Sequence, residues 1–375
     1  MNNFKKLGLT ALAGSLAAVS AQAGELSVSG ALGATYVTND GDTGAISDTW
    51  DLSGAVPNHG AAIGHDKDFA VNGSGELDNG WSFSGSTALN DSLGLTSSIL
   101  SLTMGSMGTV TTGHNFGGAG TKFDGQTPVA YEEVDDGGAI SMSSNRVGAS
   151  MDNNALQYTS PAFDMGMGMT ATLDLEWSPN ATGGSTGDGG HIVRGTYGSG
   201  RSAGLTISGS GLTVGVYGSE RENVTTVVAG ADAVRDEFSG AWYANYSIGP
   251  VSIGYSESYY DDGTTHTETD SVTYRYAGAN DNGGIFETEQ YSIAFNVNDN
   301  LSLSYAKAED TYDAQSNTTS GTEVADVTMD LKSIQVAYSM GAMSIKAYRT
   351  ETDNVAYNSL GGSLTVNEIA LGLAF

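Results

Sequence analysis

The chain has 375 residues and no cysteine, and its formal net charge of -29 is strongly acidic. The lack of cysteine excludes a disulfide framework, and the scarcity of lysine and arginine argues against nucleic-acid partners, which bind basic clusters. The chain has only 5 prolines but 53 glycines, and this balance favours many strands joined by tight turns over a helical protein.

Residues 1–23 have the pattern of a secretory signal peptide. Lys5 and Lys6 precede an apolar stretch from Leu7 to Val19, and Ala21-Gln22-Ala23 supplies a small-residue cleavage site. The stretch is too short to span a bilayer as a helix, and no later segment has the roughly 18 apolar residues that would. We therefore expect export, cleavage after Ala23 and a mature chain of residues 24–375 that is either released or inserted into a membrane as strands.

Alternation of apolar and polar residues dominates the mature chain, and short turns interrupt it. Seven tight turns are predicted at Asp78–Gly80, Ser106–Gly108, Asp164–Gly168, Ser208–Gly211, Gly249-Pro250, Asn298–Asn300 and Gly341-Ala342. These turns join fourteen strands, and a first strand from Glu25 to Val37 and a last from Leu364 to Phe375 make sixteen. Short turns that alternate with long polar connections are typical of a membrane barrel, although a β-sandwich has the same alternation with its faces exchanged.

Several strands place charged residues opposite an apolar face. In Met169–Trp177, Asp174 and Glu176 lie between apolar neighbours, which is costly toward lipid and favourable toward a water-filled lumen. We therefore predict that alternation turns a set of charged wall residues inward. This set comprises Asp174, Glu176, Arg194, Arg221, Lys346 and Glu368.

The C-terminus carries the strongest single signal. Ile369, Leu371, Leu373 and Phe375 alternate with small or polar residues, and the sequence stops at Phe375. This ending resembles the terminal β-signal of outer-membrane proteins, which the barrel-assembly machinery reads.

Three stretches resemble the general diffusion porins of Gram-negative bacteria, particularly the alphaproteobacterial type. They are Gly24–Gly30, the pair Gly108–Gly113 and Asn154–Pro161, and the terminal Phe375. The resemblance implies an all-β fold: a transmembrane antiparallel β-barrel of sixteen strands, with short periplasmic turns, long extracellular loops and a third loop folded into the pore. It also implies an outer-membrane homotrimer.

The resemblance identifies residues 114–153 as the third loop, which narrows the pore. This loop contains Lys122 and Arg146 as its only basic residues. Its acidic residues include Asp124, Glu132, Glu133, Asp135 and Asp136. In the family, such acids face basic residues on the barrel wall, but the basic residues of this chain are scattered. We therefore expect a constriction that prefers cations.

The acidic cluster of Glu132, Glu133, Asp135 and Asp136 is also a candidate calcium site, because carboxylate oxygens are the ligands that Ca²⁺ takes. The cluster lacks the spacing of an EF-hand loop, and a simply solvated acidic loop is the alternative. No other cofactor is expected. The later acidic pairs Asp261-Asp262 and Glu309-Asp310 are expected to add surface charge that divalent ions bridge to lipopolysaccharide.

The sequence therefore predicts a passive porin for small hydrophilic solutes and ions. No combination of nucleophile and base stands out, so we expect no enzymatic activity. Two alternatives remain open at this stage. One is an outer-membrane channel specific for one substrate, and the other is a non-conducting surface β-barrel or adhesin.

Overall fold

The computed structural model describes residues 24–41, 59–90, 94–135, 142–148, 151, 153, 155–181, 197–224, 235–261, 263, 284–313, 326–357 and 362–374. The predicted signal peptide lies outside these residues. So do Asp136, Arg194 and Phe375, three of the residues that the sequence singled out.

The described strands form one antiparallel sheet of sixteen strands. The first eight are β1 (Leu26–Gly41), β2 (Gly60–Glu76), β3 (Ser82–Leu89), β4 (Leu95–Thr103), β5 (Thr109–His114), β6 (Leu156–Thr159 with Phe163–Gly166), β7 (Met169–Ser178) and β8 (Tyr197–Gly209). The other eight are β9 (Leu212–Asn223), β10 (Glu237–Ile248), β11 (Val251–Asp261), β12 (Ile285–Asn298), β13 (Leu301–Asp313), β14 (Val327–Met340), β15 (Met343–Asp353) and β16 (Ser363–Ala374).

Strand β6 is one strand with a break. Both of its segments pair with β7, since Tyr158 lies opposite Leu175 and Phe163 lies opposite Ala171. The break contains Pro161, which has no N–H group to donate to a ladder. Counted in this way, the predicted number of sixteen strands is confirmed, and each of the seven predicted turns joins two neighbouring strands.

The sheet closes on itself. Strand β1 pairs with β2 on one side and with β16 on the other, where Leu32 lies opposite Leu373 and Tyr36 lies opposite Ile369. The first and last strands thus satisfy each other's backbone hydrogen bonds. The structure is therefore a closed antiparallel barrel, as the sequence predicted.

The outer surface of the barrel is apolar along most strands. Outward side chains such as Ile253, Ile293, Ile334 and Leu371 are between 40% and 63% exposed. Their neighbours along each strand are small or polar and point into the lumen, as Ser252 does beside Ile253. In a soluble sandwich the apolar face would be covered, so this distribution distinguishes a membrane barrel from a sandwich.

Among the residues that the structure describes, no helix is long and apolar enough to cross a membrane.

The largest buried apolar cluster lies inside the barrel. It packs Val134 and Met142 of the third loop against aromatic and aliphatic side chains of the wall. The wall members include Tyr260, Phe286, Tyr312, Met329 and Leu331. The core therefore sits between a loop and one side of the barrel, instead of between two layers.

We expect a lysine on the outer face to destabilise the barrel in lipid. Ile293→Lys should lower the free energy of unfolding by about 2–4 kcal/mol, because it places a charge near mid-membrane depth. Ala294→Lys, the next residue on the same strand, faces the lumen and serves as the matched control. Denaturant titration in lipid vesicles measures both, and equal losses would contradict the assignment of faces.

Candidate functional site

The third loop returns to the strand end from which it starts. His114 is the last residue of β5, and its Nδ1 lies 2.6 Å from Oδ1 of Asn153. The same oxygen accepts a hydrogen bond from the backbone N–H of Asn115 at 2.8 Å. These contacts close the base of the loop.

From this base, residues 119–132 run around the inner wall and bond to one strand after another. Two loop N–H groups donate to the wall: Ala119 N to Glu176 Oε2 on β7 at 3.4 Å, and Ala130 N to Ser304 Oγ on β13 at 2.8 Å. Two loop carbonyls accept from it: Gln126 O from Asn245 Nδ2 on β10 at 3.0 Å, and Pro128 O from Ser292 Oγ on β12 at 2.7 Å. Small polar wall residues thus supply the partners for the loop backbone. The loop forms a shelf over the wall from β7 to β14.

Tyr131 extends the contacts between the loop and the wall to the last two strands. Gln335 on β14 accepts from its backbone N–H at 2.9 Å, and the Tyr131 hydroxyl donates to Glu368 on β16 at 2.6 Å. Tyr348 donates to the other oxygen of Glu368 at 3.2 Å, and Lys346 Nζ lies 4.6 Å from the centre of the Tyr131 ring. Burial and the hydrogen bond to Glu368 raise the pKa of Tyr131 well above its usual value, so its hydroxyl stays protonated as a donor.

Phe123 anchors the middle of the shelf. Its ring stacks on Tyr217 at a centroid distance of 5.2 Å and lies 6.3 Å from the ring of Tyr243. A Cβ atom on Gly204 would lie 2.4 Å from this ring, and one on Gly215 would lie 3.0 Å from it. These two wall positions therefore need glycine so that the ring can approach the backbone.

Three of the predicted wall residues are buried. Asp174 is 2% exposed and pairs with Lys122 of the loop, and Glu176 is 4% exposed and accepts from Ala119 N of the loop. Arg221 is 5% exposed, pairs with Glu237 and donates to Ala181 O. All three point inward, and these contacts cover them.

Asp135 also differs from its expected place. It is 3% exposed, and its Oδ2 accepts from Met142 N at 2.7 Å and from Asn145 Nδ2 at 2.8 Å. The carboxylate therefore joins the outgoing and returning halves of the third loop, where it is turned away from solutes. Glu132 and Glu133, by contrast, are partly exposed.

The wall from β1 to β4 is left uncovered. Ser27, Asp66, Asp68 and Ser84 face the lumen and are exposed, whereas Ser292 and Ser304 on the opposite wall are buried. Lys67 is the only lysine or arginine in the described parts of β1 to β5, and its pairing with Leu32 places it on the outer face. The open side of the lumen thus carries carboxylates that were not predicted from the sequence, because no strand bounds were predicted over residues 60–69.

The described residues contain no group of three or more His, Cys, Asp or Glu side chains that could hold a metal ion. Asp136 lies outside the described residues, and Asp135 is engaged within the loop. The calcium site therefore stays a prediction from the sequence.

Asp124 responds to pH near neutrality. Burial, with a smaller contribution from Asp135, raises its pKa from 3.8 to about 7. The folded chain therefore holds this proton more tightly than the unfolded chain does. Stability from this group is present below about pH 4 and is lost as the pH rises toward 7.

We expect the free energy of unfolding of the wild type to fall more steeply between pH 4 and pH 7 than that of Asp124→Asn, which cannot ionise. Denaturant titrations in detergent at three pH values across this range measure the two slopes. Identical slopes would show that Asp124 is not buried as described.

We expect Gly204→Val to displace the loop, because a side chain at this position collides with the ring of Phe123. Backbone amides of residues 119–125 should exchange with deuterium faster in this variant. Ala203→Val also introduces a valine, but on the outer face, and should leave exchange unchanged. Unchanged exchange in Gly204→Val would contradict the packing of Phe123.

Comparison with known proteins identifies the fold. No protein-family profile and no curated protein matches the sequence. Among solved structures, Salmonella typhi OmpF in complex with daunomycin is similar over 94% of this chain and 98% of its own, at 11% identity and a TM-score of 0.63. The anion-selective porin from Comamonas acidovorans matches over 94% and 99%, at 11% identity and a TM-score of 0.58. OmpT in trimer form, an outer-membrane protein of Vibrio cholerae, matches over 94% and 99%, at 13% identity and a TM-score of 0.54. The chain has the barrel fold of Gram-negative porins.

Proposed function

We propose that the chain is an outer-membrane porin through which small hydrophilic solutes and ions diffuse passively, with a preference for cations. The observation that carries this proposal is the division of the lumen into two sides. The third loop covers the wall from β7 to β16, and the wall from β1 to β4 faces it across open space. A shelf of this kind narrows the barrel and leaves a water-lined path.

The charges on the two sides of this path support cation preference. Glu132 and Glu133 are partly exposed on the third loop, and Asp66 and Asp68 lie on the uncovered wall. Carboxylates on both sides of a narrow, low-dielectric opening concentrate cations and repel anions. One protein of similar fold is anion-selective, so the preference comes from these side chains and not from the barrel.

The basic residues of the lumen support the same conclusion. Lys122 pairs with Asp174, and Arg221 pairs with Glu237. Arg146 lies over the rings of Tyr260 and Phe286. The ion pairs offset the charges of Lys122 and Arg221, and contacts with aromatic rings hold Arg146 and Lys346 against the loop or the wall.

Location and assembly form part of the proposal. The apolar outer surface suits a bilayer, and residues 1–23 would direct export. Ile369 and Leu371 lie on the outer face of the last strand, which agrees with a role in recognition by the barrel-assembly machinery. A homotrimer is proposed by likeness to porins, and Val28, Leu32 and Ile63 provide exposed apolar surface on β1 and β2 for such a contact.

We expect the wild type to insert into planar bilayers and to conduct with a reversal potential that indicates cation preference. In the variant with Glu132→Gln, Glu133→Gln, Asp66→Asn and Asp68→Asn, the cation-to-anion permeability ratio should fall by about twofold or more, because four lumen charges are lost. The measurement is single-channel recording in a KCl gradient.

Glu287→Gln with Glu289→Gln serves as the control, because both residues are exposed on the outer face of β12. This control should keep the wild-type ratio. An unchanged ratio in the lumen variant would refute the charge assignment. Folded protein that inserts without conducting would refute the pore itself and favour a surface barrel or adhesin, whereas saturable block by one solute would favour a substrate-specific channel.

A further inference from the structure

A buried carboxylate of the wall holds the returning half of the third loop. Asp310 on β13 is 0% exposed. Its oxygens accept hydrogen bonds from Ser143 N at 2.6 Å, Ser143 Oγ at 2.7 Å, Thr288 Oγ1 at 3.1 Å and the Tyr357 hydroxyl at 2.7 Å. The four donors belong to three separate parts of the chain, so one carboxylate joins them all.

Two of these parts are connections at the rim that carries the long loops. Ser143 begins the 3-10 turn Ser143–Arg146 in the third loop, and Tyr357 ends the 3-10 turn Val355–Tyr357 between β15 and β16. The third part, Thr288, lies on β12 beside Asp310 and faces the same side. Asp310 thus connects the third loop to the last long connection as well as to the wall.

The surroundings of Asp310 are apolar, which makes its hydrogen bonds important. The ring of Phe286 lies 4.5 Å from that of Tyr312 and 5.5 Å from that of Tyr357, and Met142 is buried in the same cluster. Arg146 covers the edge of the cluster, 5.1 Å from the centre of the Phe286 ring. In such a setting, donors that lose this acceptor stay dry and unsatisfied unless the loop moves.

We propose that Asp310 is the positioning residue that keeps the third loop against the wall, and that it couples this loop to the segment 355–357. This inference rests on the proposed function, because it assigns a role within the pore. The loop lies on the wall, so any conformation that leaves the wall enters the open side of the lumen. Loss of the Asp310 contacts should therefore produce transient partial closures of the channel.

The test compares Asp310→Asn with Glu309→Gln by single-channel recording. Both variants replace a carboxylate by an amide on β13, but Glu309 lies on the outer face, where it pairs with Lys307. Asp310→Asn replaces one acceptor oxygen by a donor group and should raise the frequency of partial closures by about tenfold or more. Glu309→Gln should match the wild type.

Two further variants separate the parts of the proposal. Tyr357→Phe removes only the contact to the segment 355–357 and should raise the closure frequency by a smaller factor. Ser143→Ala keeps the backbone bond, and it tests the anchor if Asp310→Asn does not fold. If closures in both variants stay at the wild-type frequency, the coupling and the anchor are refuted.

A reversible cross-link gives a readout that a general loss of stability would not produce. Ser143 Oγ and Thr288 Oγ1 are 3.0 Å apart, and the chain has no cysteine of its own. In the Asp310→Asn background, Ser143→Cys with Thr288→Cys should form a disulfide that suppresses the closures, and a reductant should restore them. Closures that persist in the oxidised protein would overturn the proposal, as would an Asp310→Asn channel as quiet as the wild type. A wild type that never conducts would instead refute the proposed function.

Discussion

Backbone N–H and C=O groups at bilayer depth have no water to bind, so each needs a hydrogen-bond partner within the protein. The pairing of β1 with β16 supplies these partners for the two strands that would otherwise be edges. Closure also determines which side of each strand faces lipid and which faces the lumen. Once the ring is complete, a shift of register by one residue would turn every outward leucine or isoleucine inward. The alternation in the sequence and the closure of the sheet therefore support each other.

The third loop depends on the chemistry of the inner wall. An apolar cavity would not accommodate its backbone, because each buried N–H and C=O group needs a hydrogen-bond partner. The wall supplies Ser292, Ser304 and Gln335 as partners, and Gly204 with Gly215 leave room for the ring of Phe123. Wall residues with polar side chains, and glycines with none, show no distinctive pattern in the sequence. They nevertheless decide where the loop lies.

Carboxylates serve three different roles in this barrel, and burial separates them. Asp135, Glu368 and Asp310 accept hydrogen bonds that hold the third loop in place. Asp174 and Glu176 lie under the loop. Asp66 and Asp68 remain exposed and Glu132 and Glu133 partly exposed, so the selectivity that we propose depends on a small part of the total negative charge.

The sequence by itself determined the strands, the turns and the orientation of most wall residues, because a period of two and local turn chemistry are written in short stretches of chain. The resemblance to porins, and not the sequence pattern itself, indicated the third loop and its acidic residues. Only the tertiary structure decided which acids are accessible. Asp135 was expected at the constriction and Asp310 at the surface, yet both are buried. Asp310 is covered because residues far apart in the chain fold over it. Burial of a single side chain depends on contacts between distant segments, such as Ser143 and Tyr357 around Asp310, and no local pattern records those contacts.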